Sequence, residues 1–184
     1  MDETDQTLIG AFDVFLRYGY RKTSLDDIAQ SVGVSRQTLY QRYKNKENLF
    51  KSALEAEFEH SLSRCRDVAK NSTENIEDKL FEIMDIWCGE YITTLRASPH
   101  AAEVMEESDA LVGDLCETKM EEFTEIFTRV LEDNDLPSQK DAGLSPRKVA
   151  DVMHFTAKGL FYKAKDYEEF AEHIRTTILM ICRL

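Results

Sequence analysis

The chain of 184 residues is 42% hydrophobic and 32% charged, the make-up of a globular protein with its own core and room for one large or two small domains. No run approaches the ~18–20 apolar residues that span a bilayer, and the acidic start MDETDQT lacks an apolar stretch of signal-peptide length. A net charge of −12 argues at first against a polyanionic partner.

With only 7 Gly and 3 Pro, long helices and an all-α fold of about nine helices are expected. Leu8, Ala11, Phe12, Phe15 and Leu16 share one helical face, predicting a helix over about 5–18 that stops at Gly19. Thr23 or Ser24 can cap a second helix, and Asp26 and Asp27 suit the positive end of its dipole. Ile28 and Val32 mark its buried stripe. Ala29 falls four residues before Gly33, where crossing helices must approach closely. Gly33 can take the left-handed conformation that redirects the chain. Val34 plugs the corner, Ser35 caps a third helix and Leu39 turns inward. Arg36, Gln37, Thr38, Tyr40 and Gln41 are left pointing outward or along the flanks. Residues 24–43 thus read as a helix-turn-helix whose second helix carries groups suited to phosphates and base edges.

A fourth helix opens near Asn45 or Lys46 and runs to about Ala69, with Leu49, Phe50, Ala53, Leu54 and Phe58 on its apolar face. Asn71-Ser72-Thr73 connects it to a helix over about 75–97 that holds Ile76, Leu80, Ile83, Met84, Trp87, Tyr91 and Leu95, closed by Ser98-Pro99. A short helix over about 100–107 and a longer one over 110–132 follow. The polar stretch 133–144, with Pro137 and Gly143, reads as a loop. Ser145-Pro146 is a strong start signal for a helix reaching about Ala164, and a last helix covers about 167–182.

The charge objection dissolves once its distribution is read. Residues 17–51 carry eight Lys/Arg against three Asp/Glu, whereas residues 52–184 carry fifteen against twenty-eight. With screening over ~8–10 Å near physiological salt, the local basic face governs contact and the acidic remainder is largely screened. Weak non-specific affinity is the expected consequence. No phosphate-binding Gly-rich loop, nucleophile motif or metal signature is present, so enzymatic chemistry and a cofactor are not expected. His60, His100, His154 and His173 lack metal-ligand spacing. Cys65, Cys88, Cys116 and Cys182 form no Cys-x-x-Cys pair and read as thiols of a reducing cytoplasm.

Phe12 and Phe15 in an apolar helix, Gly19-Tyr20, Thr23-Ser24-Leu25, Asp27-Ile28-Ala29, Gly33-Val34-Ser35, Thr38-Leu39-Tyr40, Tyr43, and Lys46-Glu47 before Leu49 form a specific pattern. On these residues, from about Leu8 to Leu54, the chain resembles the tetracycline-repressor (TetR) family of bacterial transcription regulators. One departure stands out: the family usually has a small residue before its Thr-Leu-Tyr, where this chain has Gln37. Gln can pair bidentately with adenine N6 and N7, so Gln37 is a candidate specificity residue and the family's usual operator preferences do not transfer.

The resemblance implies a helix-turn-helix DNA-binding domain over residues 1–50 and a helical ligand-sensing and dimerisation domain over 51–184. It implies a homodimeric repressor of bacterial cytoplasm, at the nucleoid when bound to a palindromic double-stranded operator, and released by an unidentified small-molecule effector. A helix-turn-helix protein controlled by a protein partner is the alternative. Carried over by position, Thr23, Thr38, Tyr40 and Lys46 contact phosphates. Arg36 and Gln37 read base edges, Arg for guanine and Gln for adenine, while Gln41 is a further candidate and Ser24 and Ser35 cap helices at the same face. Candidate ligand contacts are Met84, Trp87, Cys88, Tyr91, Met105, Phe123, Phe127, His154 and Phe155, aromatics with a few polar tips. Candidate dimer contacts are Val149, Val152, Met153, Thr156 and Leu160 in one helix and Phe170, Ile174, Ile178 and Ile181 in the next; the same stripes also suit an intrachain core.

Overall fold

The computed structural model describes residues 3–71, 75–134 and 143–183. Its regular elements are helical throughout: α1 (Glu3–Tyr18), α2 (Leu25–Val32), α3 (Arg36–Tyr43), α4 (Lys46–Asn71), α5 (Ile76–Met84), a π-helical turn (Asp85–Gly89), α6 (Glu90–Ala97), α7 (Ala101–Asn134), α8 (Pro146–Lys163) and α9 (Tyr167–Arg183). They form two compact units, residues 1–60 with 94–118, and residues 61–93 with 119–184. Among the described residues, no helix is long and apolar enough to cross a membrane. Ser72-Thr73 of the expected connection and 135–142 of the polar stretch lie outside the described residues.

The first unit is organised by aromatic packing. Phe15 and Phe50, both fully buried, meet edge to face at 5.0 Å, and Tyr20 leans on Phe50 at 4.9 Å. Such pairs add about 0.5–1.5 kcal/mol each beyond the area they bury. Leu25, Ile28 and Ala29 of α2, Leu39 and Tyr43 of α3, and Leu49 and Ala53 of α4 complete this core. Residues of the 94–118 stretch are fastened to the last turn of α1 and to the turn that follows it. Ser98 Oγ donates to the Leu16 carbonyl, and Glu103 accepts the Arg21 main-chain N–H at 2.6 Å. Arg21 Nε also donates to Glu107 at 3.1 Å.

The second unit has its core in Leu62, Leu80, Ile83, Met84, Ile92, Phe123, Phe127, Met153, Phe170, Ile174 and Ile178. The single helix expected over 75–97 is interrupted by the π turn, where the Glu90 N–H reaches back to the Asp85 carbonyl. The turn sets the Asp85 side chain against Gly89. A Cβ on Gly89 would stand 2.1 Å from Asp85 Oδ1 and 3.0 Å from Phe170 Cε1, so only glycine leaves room for that carboxylate. Burial raises the Asp85 pKa, against a hydrogen bond with Tyr167 that lowers it.

The break expected between residues 107 and 110 falls later. Helical structure continues to Val112, whose backbone (φ −142°, ψ 29°) kinks α7 beside Gly113. The start of α8 follows the sequence signal directly: Ser145 Oγ accepts the Lys148 N–H and Pro146 occupies the first turn.

Candidate nucleic-acid interface

The helix-turn-helix is held by its caps. Ser24 and Asp27 form a reciprocal capping box on α2: the Asp27 N–H donates to Ser24 Oγ at 3.2 Å and the Ser24 N–H to Asp27 Oδ2 at 2.9 Å. Those Ser24 hydrogen bonds hold the Asp27 carboxyl below its ordinary pKa. Gly33 closes α2 at φ 74°, the left-handed conformation its position predicts, with its N–H on the Ala29 carbonyl. Ser35 then caps α3 by accepting the Thr38 N–H at 3.0 Å. Exchanging such a cap for Ala costs about 1 kcal/mol, so each serine fixes the entry of its helix rather than merely decorating the surface.

Only Leu39 and Tyr43 of α3 are buried; Arg36, Gln37, Thr38, Tyr40, Gln41 and Arg42 are exposed. The expected outward face of this eight-residue helix is therefore present as one continuous surface. Arg36 is held from two sides. Its Nε lies 2.7 Å from Asp26 Oδ1, and its guanidinium carbon sits 5.2 Å from the Tyr40 ring centroid. The hydroxyls of Thr38 and Ser35 share a hydrogen bond of 2.7 Å, and Arg42 Nη1 donates to Thr4 Oγ1 at 3.1 Å.

Two of the residues assigned to phosphates serve the fold as well. Thr23 is 3% exposed, and its hydroxyl donates to the Gly19 carbonyl at 2.6 Å. Lys46, half-buried in the first turn of α4, donates through Nζ to the carbonyls of Tyr20 at 2.9 Å and Arg21 at 3.3 Å. The same ammonium lies 4.5 Å from the Tyr20 ring centroid. Asn45 caps α4 by accepting the Asn48 N–H at 2.8 Å. Tyr43 packs inward, as its place among the apolar positions predicts, and its buried hydroxyl finds no hydrogen-bond partner.

Sequence reading missed the turn between α3 and α4. Lys44 has φ 68° and ψ −46°, and the Asn45 N–H donates to the Tyr43 carbonyl at 2.8 Å. That i to i+2 bond closes a γ-turn, a strained conformation for a residue with a Cβ. No residue type at position 44 signals it. The Arg36–Asp26 pair was also missed, because it joins two helices whose relative setting is a tertiary fact.

In the second unit, an aromatic row runs through several candidate ligand contacts. Trp87 stacks on Phe123 at 4.6 Å with 11° between planes, and Phe123 is 6.2 Å from Phe127 and 6.3 Å from His154. Met84, Cys88, Phe123 and Phe127 are buried, while Trp87, Tyr91 and His154 are half-buried. Tyr91 shares a hydrogen bond with Ser61 at 2.9 Å. Phe155, 69% exposed, meets His154 at 5.7 Å from the outside, and Met105 belongs to the other unit. His154 Nδ1 is buried without a hydrogen-bond partner, and burial with the nearby Lys158 lowers its pKa.

Among the candidate dimer contacts, Val149, Met153, Phe170, Ile174 and Ile178 lie in the unit's own core. Thr156, Leu160 and Ile181 are half-buried and Val152 is 59% exposed. The large apolar groups that α8 and α9 leave on the surface are Val152, Phe155, Tyr162, Leu179 and Met180. Burial raises the pKa of Cys65 and Cys88 to about 12 and that of Cys182 to about 11, so none of these thiols carries thiolate character.

Residues 8–53 match the family described as bacterial regulatory proteins, tetR family. The HTH-type transcriptional activator FasR of Mycolicibacterium smegmatis is 34% identical over 70 residues, covering 38% of this chain and 32% of that protein. IcaR of Staphylococcus epidermidis, a negative transcriptional regulator of the icaADBC biofilm operon, is 36% identical over 58 residues, 32% of this chain and 31% of its own. The similarity thus spans about a third of the length of these relatives. Beyond that stretch the fold carries the likeness. The crystal structure of a transcriptional regulator from Rhodococcus sp. Rha1 superposes with a TM-score of 0.71 at 19% identity, covering 97% of this chain and 95% of the other.

Proposed function

We propose that this chain, which belongs to the TetR family of transcriptional regulators, binds a palindromic double-stranded DNA operator as a homodimer and represses transcription until a small molecule enters its C-terminal domain. The observation that carries the DNA reading is the surface of α3: six exposed polar or aromatic side chains on a helix capped at Ser35, inside a stretch with eight basic and three acidic residues. In this reading α3 enters the major groove. Arg36 and Gln37 meet base edges, with Gln41 beside them, while Thr38, Tyr40 and Lys46 approach phosphates. Ser24 brings the capped start of α2 to the same backbone, while the buried Thr23 hydroxyl, held on the Gly19 carbonyl, positions it from within.

One such helix presents too little surface for tight specific binding, which favours a dimer on two half-sites about one helical turn apart. The exposed groups of α8 and α9 suit its interface, since isolated apolar side chains of this size gain about 1.5–3 kcal/mol each when fully buried. The aromatic row from Trp87 to His154 suits a pocket wall for an apolar effector with a polar tip. Effector and operator then oppose each other by the same factor, as linkage requires.

Binding-site selection with the purified chain, followed by salt-dependent titration on the recovered duplex, tests the reading. A two-fold symmetric motif bound by two chains is the expected result. Absence of any enriched motif overturns it. Sedimentation of Phe155→Asp tests the interface, with a shift to monomer expected.

A further inference from the structure

On the DNA-binding reading above, we propose that Asp26 is a positioning residue for base recognition, which orients Arg36 toward guanine from across the turn. Asp26 puts a negative charge where DNA binding disfavours one. A carboxylate beside the recognition helix repels phosphate, and affinity alone gives no reason to keep one there. Asp26 sits in the first turn of α2, where its charge suits the helix dipole, but the capping hydrogen bonds of that turn are made by Ser24 and Asp27. Its carboxylate instead reaches the first residue of α3, where Oδ1 lies 2.7 Å from Arg36 Nε. Both side chains are exposed, at 66% for Arg36 and 45% for Asp26, so this pair adds little to folding stability.

What the pair does is geometric. A guanidinium offers five N–H donors in a rigid plane. Engaging Nε leaves the two terminal nitrogens, the pair that spans guanine O6 and N7. The Tyr40 ring, 5.2 Å from the guanidinium carbon, restrains the same group from α3 itself. Arg36 is thereby ordered before DNA arrives, by a carboxylate on one helix and a ring on the other. An Arg freed from this restraint keeps its charge and can swing to the nearest phosphate, which carries no sequence information. Asp26 therefore lowers affinity for all DNA slightly and raises preference for guanine at one position of each half-site.

The test compares wild type, Asp26→Ala, Asp26→Asn, Arg36→Ala and the Asp26→Ala/Arg36→Ala double variant by fluorescence anisotropy. The duplexes are the selected operator, the operator with the Arg36-read guanine replaced, and an unrelated sequence. For Asp26→Ala we expect preference for that guanine to fall about tenfold, within the range that one bidentate base contact supplies. Binding to the unrelated duplex should be unchanged or up to a few-fold tighter, because a repelling charge is gone. Asp26→Asn, which keeps the shape and the capping box, should show the same direction. In the Arg36→Ala background, removing Asp26 should leave base preference unaffected. Retention of full guanine preference by Asp26→Ala overturns the inference, and so does an increase in that preference, which would make Asp26 a competitor for Arg36. A wild-type chain that binds none of the duplexes overturns the DNA reading and the inference together.

Discussion

Replacing Lys46 by Met separates two jobs that one ammonium performs. In the free protein Nζ donates to two carbonyls of the α1–α2 turn, at 2.9 and 3.3 Å, and lies 4.5 Å from the Tyr20 ring. A hydrogen bond from a charged donor contributes about 1.5–3 kcal/mol, and an exposed cation–π contact about 0.5–1. Lys46 is half-buried, which discounts both, and Met retains the apolar stem. We therefore expect a loss of about 1–2 kcal/mol, read as a midpoint shift in urea with unchanged slope. The third N–H of the ammonium is left for a phosphate at the start of α4, where the helix N-terminus adds to the attraction. Salt titration of operator binding should show the slope of log K against log salt falling by about 0.9, the contribution of one neutralised phosphate. Unchanged stability refutes the structural role derived from the two carbonyls. Lower stability with an unchanged slope leaves Lys46 as a brace for the turn and removes it from the phosphate contacts.

Gln37→Ala should relax preference at one base pair of each half-site by about 1–3 kcal/mol, and an unchanged selected motif would reduce Gln37 to surface. Lys44→Gly should stabilise the chain by about 0.5–1 kcal/mol in urea denaturation, because a γ-turn strain of about 1–2 kcal/mol is relieved against the greater freedom of unfolded glycine. His154 is held below its ordinary value of 6.5, so the unfolded chain takes up its proton first as pH falls. Its contribution to stability is complete above about pH 6.5 and is lost as pH drops through the lowered folded value; urea midpoints at pH 5–8 should show a slope that His154→Gln diminishes. With Cys65 and Cys88 raised to about 12, native protein at pH 8 should resist iodoacetamide at both, and mass spectrometry should find them labelled only in urea.

The first unit was legible where local chemistry determines the answer. Ser24, Gly33 and Ser35 mark their helix ends because caps and the left-handed turn are decided within four residues, and α2 and α3 start and stop where those residues require. The second unit was read less well for a physical reason. Apolar residues at helical spacing state that a face is covered without stating by what. Val149, Met153, Phe170, Ile174 and Ile178 turn toward their own core, while Phe155, one turn from the stripe expected to pair chains, stands exposed. Nor can spacing show the π turn, at which the Asp85 carboxylate lies where a Cβ on residue 89 would stand.

The charges point to how such a protein separates one site from many. Residues 52–184 carry a strong excess of acidic groups, and Asp26 places one more carboxylate at the recognition helix itself. Both weaken binding to phosphate in general. A regulator gains from that loss, because specific sites compete with a vast excess of unrelated sequence and the ratio of affinities matters more than either alone. The acidic body acts at long range and is largely screened at physiological salt. Asp26 acts at 2.7 Å on one guanidinium, well inside the screening length, so salt weakens it less and direction counts. The two should therefore respond differently to ionic strength. Raising salt should erase the body's effect on non-specific binding while the guanine preference set by Arg36 persists, and loss of that preference in parallel with overall affinity would place its origin in the general field rather than in Asp26.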